Sequence, residues 1–517
     1  MRYFSINFFK ITSYFSFLGL VFTLSCNQQS AGEILAKTHC GSCHVFPDPS
    51  LLDKVTWSNN ILPIMAKQLG LQIVDGEAYL DIQRKENGQF ESVSSIMPED
   101  WKKIVAYYEK EAPEKLPNQD REPVSAISDL FSVKPVLIPQ SNFPSVTYIK
   151  IDTANQQIYA ASDALLSVFD KKATAILSQK VNQTIVDIDF GKSLAKAGNR
   201  RGYFTNIGIL NPNDLTKGTL HSFDFSSKSS FKPTGTILEN LPRPVQSIAV
   251  DLDKDGLTDQ LVCGYGNEKG ALFWNKNLGN KSYQKKLIRE TSGAIKAYID
   301  DANKDGLPDI WVLFAQGQEG IFLFTNTGKD AEGEIAFETK EILRFPPVHG
   351  SCFFELVDLN NDGYQDILYT SGDNADYSTY LLKNFHGVYG YLNDGISNGS
   401  VKFTQAFFYP IHGCFKALAK DFDQDGDLDI ATISYFPDNK NQPNEGFVYL
   451  ENKGRFSFKA SSIKEVKSGN WLVMDAADLD ADGDEDIVLG NFDRKKRGQT
   501  NESKRDTAIL VLMNRVR

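Results

Sequence analysis

A nine-residue acidic pattern, D-x-[DN]-x-D-G-x-x-D, occurs five times in register and constrains the fold more than any other feature of the chain. Its oxygen-bearing positions are Asp251, Asp253, Asp255 and Asp259, then Asp301, Asn303, Asp305 and Asp309, then Asp358, Asn360, Asp362 and Asp366, then Asp421, Asp423, Asp425 and Asp429, and last Asp478, Asp480, Asp482 and Asp486. Side-chain oxygens at positions 1, 3, 5 and 9, joined by the position 7 carbonyl, suit a hard cation, and the position 6 glycine permits a sharp turn. Ligand count favours Ca²⁺ over Mg²⁺, with up to five ions expected. An Asp-Gly hairpin turn alone explains one copy, not five. The twelfth positions, Val262, Val312, Tyr369, Thr432 and Leu489, lack the glutamate that closes an EF-hand loop. Short β-rich runs such as Ile367-Leu368-Tyr369-Thr370 follow the loops, not helices.

These loops resemble the β-hairpin cation loops of FG-GAP or VCBS repeats, the type found in integrin α-chain propellers. The copies start 50, 57, 63 and 57 residues apart, room for a four-stranded antiparallel blade and its loops. Two further units without the acidic loop, Val146 to Asp170 and Thr184 to Asn211, keep the strand rhythm. The expected fold over residues 129–517 is therefore an all-β, seven-bladed propeller. Its last unit ends at Ile509 to Met513 without an outer strand, which Leu130 to Ile138 is expected to supply.

A second motif lies far upstream. Cys40-Gly41-Ser42-Cys43-His44 is C-x-x-C-H, in which two thiols attach a c-type haem and the adjacent imidazole binds its iron. A thioredoxin-like βαβ setting and a second pair of zinc ligands are both missing, which disfavours the alternatives. The surroundings resemble a class I cytochrome c. Gly32 stands where that family crosses its first and last helices, and Ala36 where it places an aromatic. Trp101, Ile104, Val105 and Tyr108 form one apolar face of a closing helix. The resemblance implies Met97, just before that helix, as the distal axial ligand, with Met65 as its rival. It also implies that the Phe46-Pro47-Asp48-Pro49 loop supplies a carbonyl to Nδ1 of His44. A small all-α cytochrome domain is thus expected over residues 31–118, with a linker at 119–128.

The chain opens with Arg2, Lys10 and an apolar run from Ile11 to Leu24, the layout of a secretory signal over residues 1–25. Thr23-Leu24-Ser25-Cys26 resembles a bacterial lipobox, which implies a lipid on Cys26 and a tether at 26–30; the plain alternative is cleavage near Ser25. Export to the bacterial cell envelope, with membrane contact only through that lipid, is the expected location. A net charge of −11 argues against nucleic acid as a partner.

His349, His386 and His412, with Cys352 and Cys414, are candidates for a transition-metal or substrate site at the channel mouth. The competing reading pairs Cys352 with Cys414 as a disulfide, and Cys263 reads as core. Three functions remain open. The preferred one is electron transfer, with the propeller docking a redox partner, a small-molecule electron donor or acceptor, a polymer or a surface ligand. An oxidoreductase with its site at the channel mouth and an adhesive scaffold are the others. No H-E-x-x-H or phosphate-binding glycine loop supports metalloprotease or nucleotide chemistry.

Overall fold

The computed structural model describes residues 29–516, apart from 85–89, 93, 142, 163, 182, 191–198, 227–229, 332, 376, 378–380, 398–399 and 494–506. Cys26 and the leader lie outside the described residues.

From residue 131 onward the chain forms seven four-stranded antiparallel sheets. Their inner strands, which number the blades 1 to 7, are Val146–Asp152, Ile185–Asp189, Pro244–Val250, Ala294–Asp300, Ser351–Val357, Cys414–Lys420 and Trp471–Ala477. The second strands of blades 1 and 3 to 7 are buried along their whole length because the neighbouring sheets cover both faces. The cores therefore lie between blades. Trp274, Phe314, Phe322 and Phe324 fill one such layer between blades 3 and 4. Full burial of each such side chain stabilises by roughly 1.5–3 kcal/mol.

Phe131–Val136 pairs antiparallel with Ile509–Asn514 as the outer strand of blade 7, from Val136 opposite Ile509 to Phe131 opposite Asn514. The ring is closed by the two ends of the propeller, as the missing last strand required. All seven inner strands also carry a register shift near their first residues, for example between Ala294 and Lys296 and between Cys414 and Lys416. Such a bulge re-aims the side chain that follows it.

The segment ahead of the propeller packs helix α1 (Ala31–Cys40), α2 (Lys54–Thr56), a π-turn (Trp57–Ile61), α3 (Leu62–Gln68) and α4 (Pro98–Glu111). Helices α1 and α4 cross at Gly32, where a Cβ would lie 2.3 Å from the Lys103 carbonyl oxygen. Ala36, Trp57, Trp101, Ile104 and Tyr108 are buried together, with Val105 packed against them. The all-α expectation needs correction here. Leu71–Val74 pairs with Glu77–Leu80, and Ile82–Arg84 with Phe90–Ser92. The first hairpin turns on Asp75 and Gly76, both at positive φ (52° and 81°), the Asp-Gly signal of a two-residue turn. Among the described residues no helix is long and apolar enough to cross a membrane.

Residues 119–128, expected as a linker, run as a strap tied to blades 5 and 6. Gln119 donates to the His386 carbonyl at 2.7 Å, Asn444 donates to the Val124 carbonyl at 2.8 Å, and Ser462 donates to Ala126 at 2.9 Å. Arg121 pairs with Glu445, their side chains only 6% and 0% exposed. The strap places the helical segment on the propeller face opposite the acidic loops, where Val348 joins the helical core and Leu381 packs against it.

Candidate functional site

The C-x-x-C-H motif begins at the last residue of α1 and leaves the helix with two free thiols, Cys40 buried and Cys43 exposed. Burial pushes the Cys40 thiol up to about 11. Nδ1 of His44 lies 2.9 Å from the Val45 carbonyl, which corrects the expected partner. Two carbonyls of that loop are already engaged, Pro47 by the Tyr108 hydroxyl at 2.7 Å and Pro49 by the Trp57 indole at 2.8 Å. With Nδ1 facing Val45, Nε2 is the nitrogen left for a metal. Met97 caps α4 with its side chain 59% exposed, whereas Met65 packs against the helical core. Two unpaired thiols, an oriented imidazole and an uncommitted thioether fit a covalently held haem.

On the opposite face the five acidic loops share one geometry. The position 6 glycines, Gly256, Gly306, Gly363, Gly426 and Gly483, stand at φ between 84° and 97°, with no neighbour near an added Cβ, so backbone angle alone calls for glycine. Each donates its N–H to the position 1 aspartate at 2.8–3.1 Å. The position 7 N–H donates to the position 5 carboxylate at 2.8–3.2 Å.

Candidate ligand oxygens of Asp251, Asp253 and Asp255, of Asp421, Asp423 and Asp425, and of Asp478, Asp480 and Asp486 lie within 4.8 Å of one another. The other two loops have an asparagine at position 3, whose amide oxygen is the equivalent donor. Oδ1 atoms of Asp301, Asp421 and Asp480 are buried without a hydrogen-bond partner, so a cation would satisfy them. The donor sets fit Ca²⁺. In the first loop the Lys276 ammonium already contacts Asp253 and lies 3.8 Å from Asp255, so an ion there has to displace it.

The position 9 aspartates have a second task that local sequence reading missed. Asp259, Asp309, Asp366, Asp429 and Asp486 are buried and accept the backbone N–H of Asn277, Asn326, Asn393, Asn452 and Asn514 at 2.7–2.8 Å. Each asparagine accepts an N–H two residues on, at 2.9–3.1 Å. Asn326 also donates to the Leu252 carbonyl of the preceding loop at 3.1 Å, and Asn514 to Phe422 at 2.7 Å. The recurring N-x-G after the first four loops was the available signal.

The central channel belongs to a cavity of about 1640 Å³ lined by Lys150, Lys296, Lys416, Asp187 and Asp475 among others. Most of these groups staple blades together. Thr147 donates to Ile185, Tyr298 to Phe354 and Lys416 to Met474. Asp187 accepts from Ser247, Gln246 from Ala297, Glu355 from Ala419 and Asp475 from Ile151. All seven blade junctions are bonded this way, several through residues just after the bulges. Asp187, Lys416 and Asp475 of the lining are thereby tied into blade junctions.

The three histidines lie at the other end of the inner strands. His349 bonds the Tyr369 hydroxyl at 3.0 Å and stacks on Phe345 and Phe385. Burial holds it down to about 3, and His412 down to about 4. His386 is fully buried and accepts the Gly413 N–H at 3.4 Å. Among the described residues no group of three His, Cys, Asp or Glu donors gathers at these rings. The open disulfide does not form: Cys352 donates to the Gly350 carbonyl at 3.4 Å, and the Cys414 sulfur lies 3.2 Å from the Thr432 hydroxyl. Cys263 is a buried core thiol.

A family comparison agrees with the repeat register. The FG-GAP-like repeat matches residues 251–312, 301–369, 358–432 and 421–489, each match running from one acidic loop into the next. No curated protein matches the chain. Among solved structures, the N-terminal domain of Nup159 is 13% identical, covering 77% of this chain and 99% of that one at a TM-score of 0.41. BBS1N in complex with ARL6DN, soaked with mercury, is 9% identical, covering 76% and 98% at a TM-score of 0.40. Likenesses this distant carry no functional implication.

Proposed function

We propose that the chain is an exported, lipid-anchored c-type cytochrome built onto a calcium-stiffened FG-GAP-like propeller, passing single electrons to or from a partner that the propeller docks. The observation that carries this reading is the motif at the end of α1: two free thiols three residues apart, then an imidazole whose Nδ1 faces a backbone carbonyl. A haem bound there supplies one-electron chemistry. Cys40 and Cys43 attach it, Nε2 of His44 ligates it, and the Val45 carbonyl fixes the ring and raises its basicity. Met97 offers the opposite ligand. Trp57, Leu62 and Tyr108 are buried in the apolar cluster that holds Cys40 and keep water from that thiol. The close crossing at Gly32 supports the same reading. Lipidation of Cys26, outside the described residues, supplies the anchor.

The test is to purify the full chain from cells that attach haem in the periplasm, then reduce and reoxidise it while recording visible spectra and metal content. One iron per chain, reversible c-type bands and up to five Ca²⁺ are expected. Lack of a reversible spectral change would remove the electron-transfer role.

A further inference from the structure

Lys276 stands on the third strand of blade 3 (Ala271–Asn277), one residue before the latch asparagine Asn277. Its ammonium enters the first acidic loop, contacts the Asp253 carboxylate and lies 3.8 Å from Asp255; the Lys276 and Asp253 side chains are only 19% and 1% exposed. Backbone donors meet the other oxygens of the cluster. Asp251 accepts the N–H groups of Asp255 and Gly256 at 3.1 and 3.0 Å, Asp253 that of Asp255 at 3.3 Å, and Asp255 that of Leu257 at 2.9 Å. The glycine bond recurs in the other four loops; the ammonium does not. Thr325, Leu392, Glu451 and Met513 precede the other latch asparagines, and among the described residues no ion pair reaches the carboxylates at positions 1, 3 and 5 of those loops. Oδ1 of Asp301, Asp421 and Asp480 is left without a hydrogen-bond partner there, whereas the first loop has no such orphan.

We propose that Lys276 is the resident cation of the first loop, so that Ca²⁺ binds four of the five acidic loops and blade 3 is stiffened without metal. The inference rests on the calcium reading above. A buried carboxylate paired with an ammonium already has its charge met, and an arriving dication must break that pair and then face the expelled ammonium on the same strand. The ammonium is also tethered to its own blade, so it stands at the loop whatever the Ca²⁺ concentration. Blades 1 and 2 carry no acidic loop. Blades 1 to 3 therefore form one continuous sector indifferent to Ca²⁺, and blades 4 to 7 a sector that depends on it. The strap ties the helical segment to blades 5 and 6, so Ca²⁺ governs the part of the ring that holds that segment.

The test is hydrogen–deuterium exchange of the full chain with Ca²⁺ and after its chelation, beside a count of bound Ca²⁺ ions. In wild type, chelation should raise exchange across residues 301–309, 358–366, 421–429 and 478–486 and leave residues 251–259 unchanged. Lys276→Met, which keeps the apolar stem, should make residues 251–259 sensitive to Ca²⁺ and add one bound ion, whereas Lys276→Arg should behave as wild type. Asp253→Asn should leave the wild-type ion count unchanged but remove the ion gained by Lys276→Met. Thermal unfolding of each variant checks that the fold is kept. Ca²⁺-sensitive exchange at residues 251–259 in wild type, an ion lost in Asp253→Asn, or a Lys276→Met chain with the wild-type count overturns the assignment. A wild-type chain that binds no Ca²⁺ overturns the calcium reading itself, a separate outcome visible before any variant is made.

Discussion

Met97 and Met65 offer the same thioether from different surroundings. Met97 stands 59% exposed at the start of α4, free to turn towards a metal, whereas Met65 would have to leave the helical core. Met97→Ala is therefore expected to abolish the sulfur-to-iron absorption band, with Met65→Ala keeping it; the reverse result would reassign the ligand. Glu319 is a second telling residue. Burial raises its carboxyl to about 7, against the pull of hydrogen bonds from Ser351 and the charge of Lys383. A glutamate in an unfolded chain titrates at about 4.3. The folded state thus binds this proton more tightly, so the residue's contribution is unfavourable above about pH 7 and is relieved as pH falls towards about 4. Relative to wild type, Glu319→Gln should gain stability between about pH 5 and pH 8 in urea melts, and parallel curves would refute the assigned shift.

At the scale of the loop and its blade, the asparagine latch holds each acidic loop to its own third strand. Asn326 is buried, and Asn326→Ala removes its side-chain bonds to Leu252, Pro308 and Gly328, so a loss of about 1–3 kcal/mol is expected in chemical denaturation. A cost under about 0.5 kcal/mol would show that water replaces those bonds. Chelating Ca²⁺ should lower the propeller's melting temperature and spare the haem spectrum, since an ion that binds only the folded loops stabilises them by linkage. Unchanged melting would count against structural Ca²⁺. The acidic loops were legible because their oxygen-bearing side chains fall within nine residues. The latch was not, because the position 9 aspartates meet their asparagines 17 to 28 residues later. The inner-strand bulges were equally hidden, since no residue type marks them, and the Asp75-Gly76 hairpin was readable but overlooked beside a helical pattern. At the C-x-x-C-H motif the residues that would hold a haem stand together in the sequence, but Val45 as the partner of Nδ1 was not readable, because that contact depends on how the loop folds, with Tyr108 and Trp57 bonded to the Pro47 and Pro49 carbonyls.

Across the whole molecule, the strap decides how the helical segment sits on the propeller. Glu445 holds three partners from one buried position: the Arg121 guanidinium and the N–H groups of His412 and Asp438, the latter two at 2.6 and 2.9 Å. Removing one member of a buried pair strands the other, so Arg121→Ala should cost about 3–5 kcal/mol and open the strap to limited proteolysis. Intact resistance to protease would show that the remaining ties suffice. The outer strand from Phe131 to Val136 immediately follows the strap, which couples the docked segment to closure of the ring. The most direct measurement is the intact mass of the exported chain beside that of its Cys40→Ser/Cys43→Ser variant. A wild-type mass raised by one haem that survives denaturation, and no such increment in the variant, is expected; a wild-type chain without the increment would contradict a c-type cytochrome outright.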